Sequence, residues 1–234
     1  MGNQEIADSL YMDLLTVRPL EGSRLNSYVY ASDISKCIRQ TYYKMVETPL
    51  DDSAEDASHR VSFVLDAGNA YENLITERLI LLGLYRGRVR VSHSGLLISG
   101  ETDPIIEYRG KKIITEIKAT HRKHYTTILN NLKLGNYPEL YVAQLQAYLH
   151  LYEQADFGVL IICNRDVNYD DKMPPFLVIP IERDENWKKI NWSRLERLKE
   201  AVKKGIPPDR EFEQSSWQCK VCPYNKTCYS DIDA

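Results

Sequence analysis

The chain has no surplus of positive charge. Its 30 Lys and Arg stand against 33 Asp and Glu, for a net charge of -3. That excludes a generally basic nucleic-acid coat, so any grip on phosphates must come from local clusters. Three such clusters exist: Arg86, Arg88 and Arg90; Lys111 and Lys112; and His121 to His124. Each taken alone reads more readily as a solvated edge. No apolar run approaches the ~20 residues that span a bilayer, which leaves no membrane partner. Met1 to Asp8 lacks the basic start and apolar middle of a secretory signal, so the expected location is the cytoplasm. Cysteine is scarce, at five residues, and in a reducing compartment that number favours metal or cluster ligation over disulfides. Internal repeats and low-complexity segments are absent.

With 43% hydrophobic and 27% charged residues, the composition is that of an ordinary globular protein. Its 234 residues suffice for one sizeable core. The pattern predicts a short helix over Asp8 to Val17 and a helix from Ile34 to Val46 capped by Ser32 and Asp33. An acidic loop over Asp51 to Ser58 follows, then a long helix from Val61 to Leu82 stopped at Gly83. The apolar stripe of that helix is Val61, Leu65, Gly68, Glu72, Ile75, Leu79 and Leu82. Glu72 lies within it and therefore needs a partner: a buried group such as an arginine, or else a metal ion or the lysine of the site. Residues 85–118 read as a meander of three or four strands, and His121 to Asn131 as a polar link with room for a short helix. A helix runs from Pro138 to Gln154 with Tyr141, Leu145, Tyr148 and Tyr152 on its apolar face. Strands at 157–163 and 175–181 and a final helix from Asp184 to Lys204 complete an α/β domain with one mixed sheet flanked by helices.

The chemistry concentrates in Gly100 to Lys118. Two strands meet around an Arg109–Gly110 turn, with Asp103 opening the first and Glu116 and Lys118 near the end of the second. Strand side chains alternate, so Ile114, Glu116 and Lys118 share one face and Ile113, Thr115 and Ile117 the other. Asp103 can lie across from them. Two carboxylates and a lysine at one spot can hold a hard divalent cation and aim a water.

The tail holds a second pattern, Cys219-x2-Cys222-x5-Cys228. Three thiolates leave one place open. Cys163 reads as a buried small hydrophobe in an apolar strand, which makes Cys37, at a helix start, the better fourth ligand. Zinc and a 4Fe–4S cluster both accept four thiolates. One distant cysteine with a compact trio fits the cluster better, as a staple joining the two ends of the chain.

Together these residues resemble the RecB-like branch of the PD-(D/E)XK nucleases. Gly100-x-x-Asp103, Glu116-x-Lys118 and Gln144-x3-Tyr148 stand in that family's order. Ser35-x-Cys37-x-Arg39 and the cysteine tail are similar to its iron–sulfur subgroup, in particular to the CRISPR-associated exonucleases and their phage-borne relatives. The resemblance covers about residues 32–228 and implies a restriction-endonuclease-like fold. On that division, residues 1–31 are an N-terminal segment and residues 32–234 the nuclease domain, with its cysteine-rich tail at about 215–230. The resemblance further implies that Asp103, Glu116 and the Ile117 carbonyl hold Mg²⁺ or Mn²⁺. Lys118 would position the attacking water, Gln144 and Tyr148 would orient DNA, and Cys37, Cys219, Cys222 and Cys228 would hold a 4Fe–4S cluster. The implied activity is hydrolysis of DNA from single-stranded ends, with CRISPR integrase proteins as expected partners. One departure stands out. The family's long helix carries G-x-x-H-E with a metal-binding histidine, whereas this chain reads Gly68-Asn-Ala-Tyr71-Glu72. Glu72 is then the expected substitute ligand. The alternative is a catalytically weak or inactive DNA-binding subunit.

Overall fold

The computed structural model describes residue 9 and residues 27–51, 54–168, 170 and 172–230, with only the backbone described for 54–62. The helix expected over Asp8 to Val17 lies outside the described residues except for Ser9. Eight strands are described. β2 (Tyr85–Gly87), β5 (Ile105–Tyr108), β6 (Lys111–Thr120), β7 (Phe157–Asn164) and β8 (Phe176–Ile181) form a five-stranded sheet in the order β2-β5-β6-β7-β8. Its β6–β7 pair is parallel and its other pairs antiparallel. β1 (Val29–Tyr30), β3 (Arg90–His93) and β4 (Ile98–Glu101) form a second sheet in the order β1-β4-β3. Val29 and Tyr30 precede residue 32 yet already pair with Ile98 and Ser99.

The expected single meander is therefore two sheets, for a local reason. The β2–β3 leg bends at Gly87, whose φ of 112° suits glycine. The β4–β5 leg bends at the same level, at Thr102 to Pro104, where proline removes a ladder donor. Val89 and Thr102 bridge the bend: the Val89 amide donates to Thr102 Oγ1 and the Thr102 amide donates to the Val89 carbonyl, each at 3.0 Å. Beyond it, the expected hairpin forms between β5 and β6, with Arg109 and Gly110 both at positive φ.

Seven helices are described: α1 (Ile38–Met45), α2 (Ala54–Leu81), α3 (Arg122–Lys133), α4 (Glu139–Leu151), α5 (Glu185–Lys204), α6 (Trp217–Lys220) and α7 (Asn225–Ser230). Several boundaries differ from expectation. A 3-10 turn occupies Ala31–Asp33, and α1 starts only at Ile38. The Asp33 carboxylate pairs with Lys36 at 2.7 Å and Lys44 at 2.6 Å instead of capping a helix. The expected loop over 51–58 is helical from Ala54, because Ala54, Glu55 and Ala57 are strong helix formers. The polar link after β6 is the 12-residue helix α3. Pro138 sits just ahead of α4, not in its first turn, and α4 ends at Leu151. α5 follows expectation, capped by Asp184 and closed by Gly205 at φ 67°. It is not the last helix, since α6 and α7 follow.

The period-two reading of β6 is visible in the core. Ile114, Leu160 and Ile162 pack with Leu145 and Leu149 of α4 and Leu195 and Leu198 of α5 on one face of the large sheet. Ile113, Ile117, Val159, Ile161 and Cys163 pack against Ile75 and Leu79 of α2 on the other. α4 is buried on almost every side from Val142 to His150, which replaces the expected single apolar face. Its polar side chains find partners inside, with Gln146 Nε2 donating to the Glu182 carbonyl at 2.7 Å. Of the stripe expected on α2, Ile75 and Leu79 are buried while Leu65 and Leu82 are exposed. Among the described residues, no helix is long and apolar enough to cross a membrane.

Candidate active site

The site forms where β6 outruns its neighbour. β5 pairs with β6 from Lys111 to Ile114. Beyond that point the edge of β6 is met by the bend. The Thr115 amide donates to the Pro104 carbonyl at 3.0 Å, and the Ile117 amide donates to Asp103 Oδ2 at 2.7 Å. Asp103 therefore does not open a strand. It stands ahead of β5, in the bend set by Pro104, and replaces a strand partner for Ile117. A strand residue presents its amide and carbonyl toward the same neighbour, so the Ile117 carbonyl faces this open edge too. The Asp103–Pro104 pair was the local sign of a bend in the sequence.

Glu116 is fully buried. Lys118, one period along the same face, forms an ion pair with Glu116 Oε1. Beyond that pair, neither Glu116 oxygen has a hydrogen-bond donor among the described residues. An acid left so poorly satisfied in the interior is costly unless another cation serves it. Burial pushes the Asp103 carboxyl well above the usual range, and Glu116 and Glu72 push it further, against Lys118 and the Ile117 amide. Burial also raises Glu116, with Lys118 opposing and Glu72 adding. Burial works against the Lys118 charge, but Glu116 and Asp103 outweigh it and hold the ammonium protonated. Three carboxylates thus share one negative field, and Lys118 is the cation inside it.

Glu72 enters from α2. Its partner is Arg88, with Nη2 at 2.5 Å from Glu72 Oε1, so the carboxylate in the apolar stripe has the arginine that the sequence left as one of two options. Tyr71, next to Glu72 on α2, donates its hydroxyl to the Arg165 carbonyl at 3.0 Å.

α4 roofs the site. The Lys118 ammonium lies 5.9 Å from the Tyr141 ring centroid, a contact that the sequence reading did not foresee because Tyr141 read as core. Gln144 and Tyr148 are both buried. The Tyr148 hydroxyl donates to the Glu101 carbonyl at 2.8 Å, two residues ahead of Asp103. Gly100 lets the ring in: a Cβ there would stand 3.0 Å from both Tyr148 Cε1 and its hydroxyl oxygen. Tyr148 thereby braces the strand that delivers Asp103.

The chain is similar in fold to a known exonuclease. LHK-Exo, crystallised with dAMP, superposes with a TM-score of 0.50 at 16% identity, over 76% of this chain and 91% of that one. Another crystal structure, of LHK-Exo as an alkaline exonuclease from Laribacter hongkongensis, gives a TM-score of 0.48 at 14% identity over 76% and 91% of the two chains. The protein SSO0001 superposes with a TM-score of 0.56 at 19% identity, over 97% of this chain and 98% of that one. At these identities the likeness is one of fold. No family profile and no curated relative matches the chain.

The four expected cluster cysteines do converge. Cys37 at the start of α1 and Cys219, Cys222 and Cys228 of the tail line one pocket, together with Tyr43 and Tyr229. Burial pushes the Cys222 thiol up to about 11, with a further rise from Cys37, Cys228 and Cys219. Hydrogen bonds also clasp the two ends. Glu211 accepts the Ile38 amide at 2.9 Å and pairs with Arg194 at 2.6 Å, while Asp51 accepts the amides of Lys226 and Thr227 at 2.7 and 3.2 Å. Among the described residues, no group of three or more His, Cys, Asp or Glu side chains stands in an arrangement that holds a single metal ion.

Proposed function

We propose that this protein is a metal-dependent deoxyribonuclease that hydrolyses phosphodiester bonds from DNA ends, with single-stranded ends as substrate. The observation that supports it most is the buried Glu116, short of donors, beside Asp103 at the open edge of β6. Hard carboxylate oxygens with a strand carbonyl suit Mg²⁺ or Mn²⁺, and Asp103, Glu116 and Ile117 would hold the ion. A bound divalent ion supplies an activated water and offsets charge on the phosphate. Lys118, protonated in this field, orients the nucleophile and stabilises the phosphate as a cation and donor. Tyr148 and Gly100 fix the strand that presents Asp103, and Gln144 and Tyr141 complete the roof.

The cysteine pocket supports a structural 4Fe–4S cluster held by Cys37, Cys219, Cys222 and Cys228. What supports it is that all four cysteines, one from the start of α1 and three from the tail, line one pocket, and four thiolates suit such a cluster. Within this reading, residues 32–234 act as one nuclease domain, and the resemblance of the motifs favours trimming of DNA before integration by CRISPR proteins. A second reading, an inactive DNA-binding subunit, is favoured by Tyr71, which faces Arg165 and offers the site no ligand.

Linear and covalently closed single-stranded DNA, each incubated with anaerobically purified protein and Mn²⁺, separate the readings. Loss of the linear form alone, absent in Asp103→Asn, supports the exonuclease. Intact DNA of both kinds, with protein that is folded and brown, supports the inactive subunit. A colourless protein with bound zinc would remove the iron–sulfur assignment.

A further inference from the structure

The bend that separates the two sheets brings a second residue to the site. Arg88 follows Gly87 on one leg of the bend, and Asp103 precedes Pro104 on the other. The reciprocal Val89–Thr102 hydrogen bonds lock the two legs in register, so Arg88 and Asp103 are held at the same level of the ribbon by backbone. The Arg88 guanidinium feels the Asp103 charge as well as that of Glu72. It meets Glu72 through Nη2, and no other acceptor meets it among the described residues. The planar fork therefore keeps donors to spare at the rim of the carboxylate cluster.

We propose that Arg88 is a phosphate clamp of this site, binding a non-bridging oxygen of the DNA backbone, and that Glu72 is its positioning residue and not a metal ligand. The proposal rests on the nuclease reading for its substrate. Its neighbours show why Arg88 and not the whole basic cluster carries it. Arg86 is spent on the protein, donating to the carbonyls of Gly83 and Tyr85 at 2.9 and 3.0 Å and to Glu107 at 3.2 Å. Arg90 is 87% exposed and stands 3.7 Å from Glu101, so ordering it on a ligand would cost rotamer freedom. Arg88 is already held by a charge-assisted contact, with its side chain one-third exposed. A fork pre-organised in this way loses little on binding a phosphate. Without Arg88, Glu72 would add an uncompensated third anion beside Asp103 and Glu116. With it, the pair places one positive charge where the substrate enters.

Two measurements that need no turnover test this. Binding of fluorescein-labelled single-stranded DNA is followed by anisotropy in Ca²⁺, and Mn²⁺ binding to the DNA-free protein by calorimetry. Arg88→Ala should weaken DNA binding about ten- to hundred-fold and lower the salt slope by about 0.7, the share of one phosphate contact. Arg88→Lys keeps the charge without the fork and should fall between, and it carries the test if the alanine variant unfolds. Glu72→Gln should weaken DNA binding by several-fold and lower Mn²⁺ affinity only slightly, by the loss of one charge from the shared field and not of a ligand. Arg86→Ala should match wild type in both. A large loss of Mn²⁺ affinity in Glu72→Gln with DNA binding intact would overturn the proposal, as would Arg88 variants that bind DNA like wild type. Wild-type protein that binds DNA through Arg88 but never cleaves it would leave the clamp standing and remove the nuclease reading.

Discussion

Replacing Gly100 by alanine should loosen the candidate site from behind. The new Cβ would lie 3.0 Å from Tyr148 Cε1, 3.0 Å from its hydroxyl oxygen and 3.2 Å from the Ala31 Cβ. Tyr148 is 4% exposed and Ala31 fully buried, so neither can swing into solvent to make room. Overpacking at such a place costs about 1–3 kcal/mol. Moving the ring also strains the 2.8 Å hydrogen bond to the Glu101 carbonyl, and losing it adds about 1 kcal/mol. The total, about 2–4 kcal/mol, should appear as a fall in Tm of about 5–10 °C for a chain of this size. Tyr148→Phe removes the hydroxyl without crowding and should cost only about 1 kcal/mol. Thermal unfolding followed by circular dichroism, with metal absent, measures both. If Gly100→Ala melts within a degree of wild type, the close approach of α4 to β4 is not what holds Asp103 in place, and the bracing role of Tyr148 falls with it.

Other perturbations read other parts of the structure. Asp103 and Glu116 are held above the ordinary carboxylate range, so the folded protein binds more protons there than the unfolded chain does. Their contribution is therefore full below about pH 4 and is lost as pH rises through the raised values. Lys118 is protonated in both states over this range and adds no slope. In chelator, Asp103→Asn should be more stable than wild type by about 1 kcal/mol at neutral pH and converge with it in acid, and added Mn²⁺ should stabilise wild type but not the variant. Unfolding titrations at several pH values would show an absent or reversed difference if the carboxylate cluster is not strained. Gly158→Ala puts a Cβ 2.8 Å from Leu145, which is fully buried, and should cost about 1–3 kcal/mol in urea unfolding. Asp51→Ala removes the acceptor for the first amides of α7 and should cost about 1 kcal/mol. Its clearest sign is faster protease cutting near residue 225, and an unchanged cutting rate would mean that the tail is held by other contacts.

Much of this was legible in the sequence. The turn at Arg109–Gly110, the alternation along β6, the cap at Asp184 and the stop at Gly205 are local signals, and each is where the pattern placed it. Cys37 and the cysteine tail could be matched because just five cysteines leave few choices. What escaped was set by contacts between distant segments. No periodicity shows that β2–β3 and β4–β5 bend at one level, since the cause is a glycine on one leg and a proline on the other, bridged by Val89 and Thr102. Asp103 read as a strand residue when it is a bend residue, although Pro104 beside it was a local sign of the bend. The partner of Glu72 lies on another element, and a sequence supplies candidates for it without choosing among them. α4 read as a helix with one apolar face because its polar residues Gln146 and His150 look like solvent-facing ones until their buried partners, the Glu182 and Asp184 carbonyls, are seen.

The most direct experiment follows end-labelled single-stranded DNA with Mn²⁺, comparing wild type with Lys118→Ala, both purified without oxygen and shown to be folded. Lys118 pairs with the buried Glu116 and faces the Tyr141 ring of α4, so its loss should abolish cleavage and also cost stability, which is why the variant must be shown to be folded. Stepwise loss of label with the wild type and none with the variant is the predicted result. Equal degradation by both would place the chemistry outside Asp103, Glu116 and Lys118 and contradict the assignment of this site.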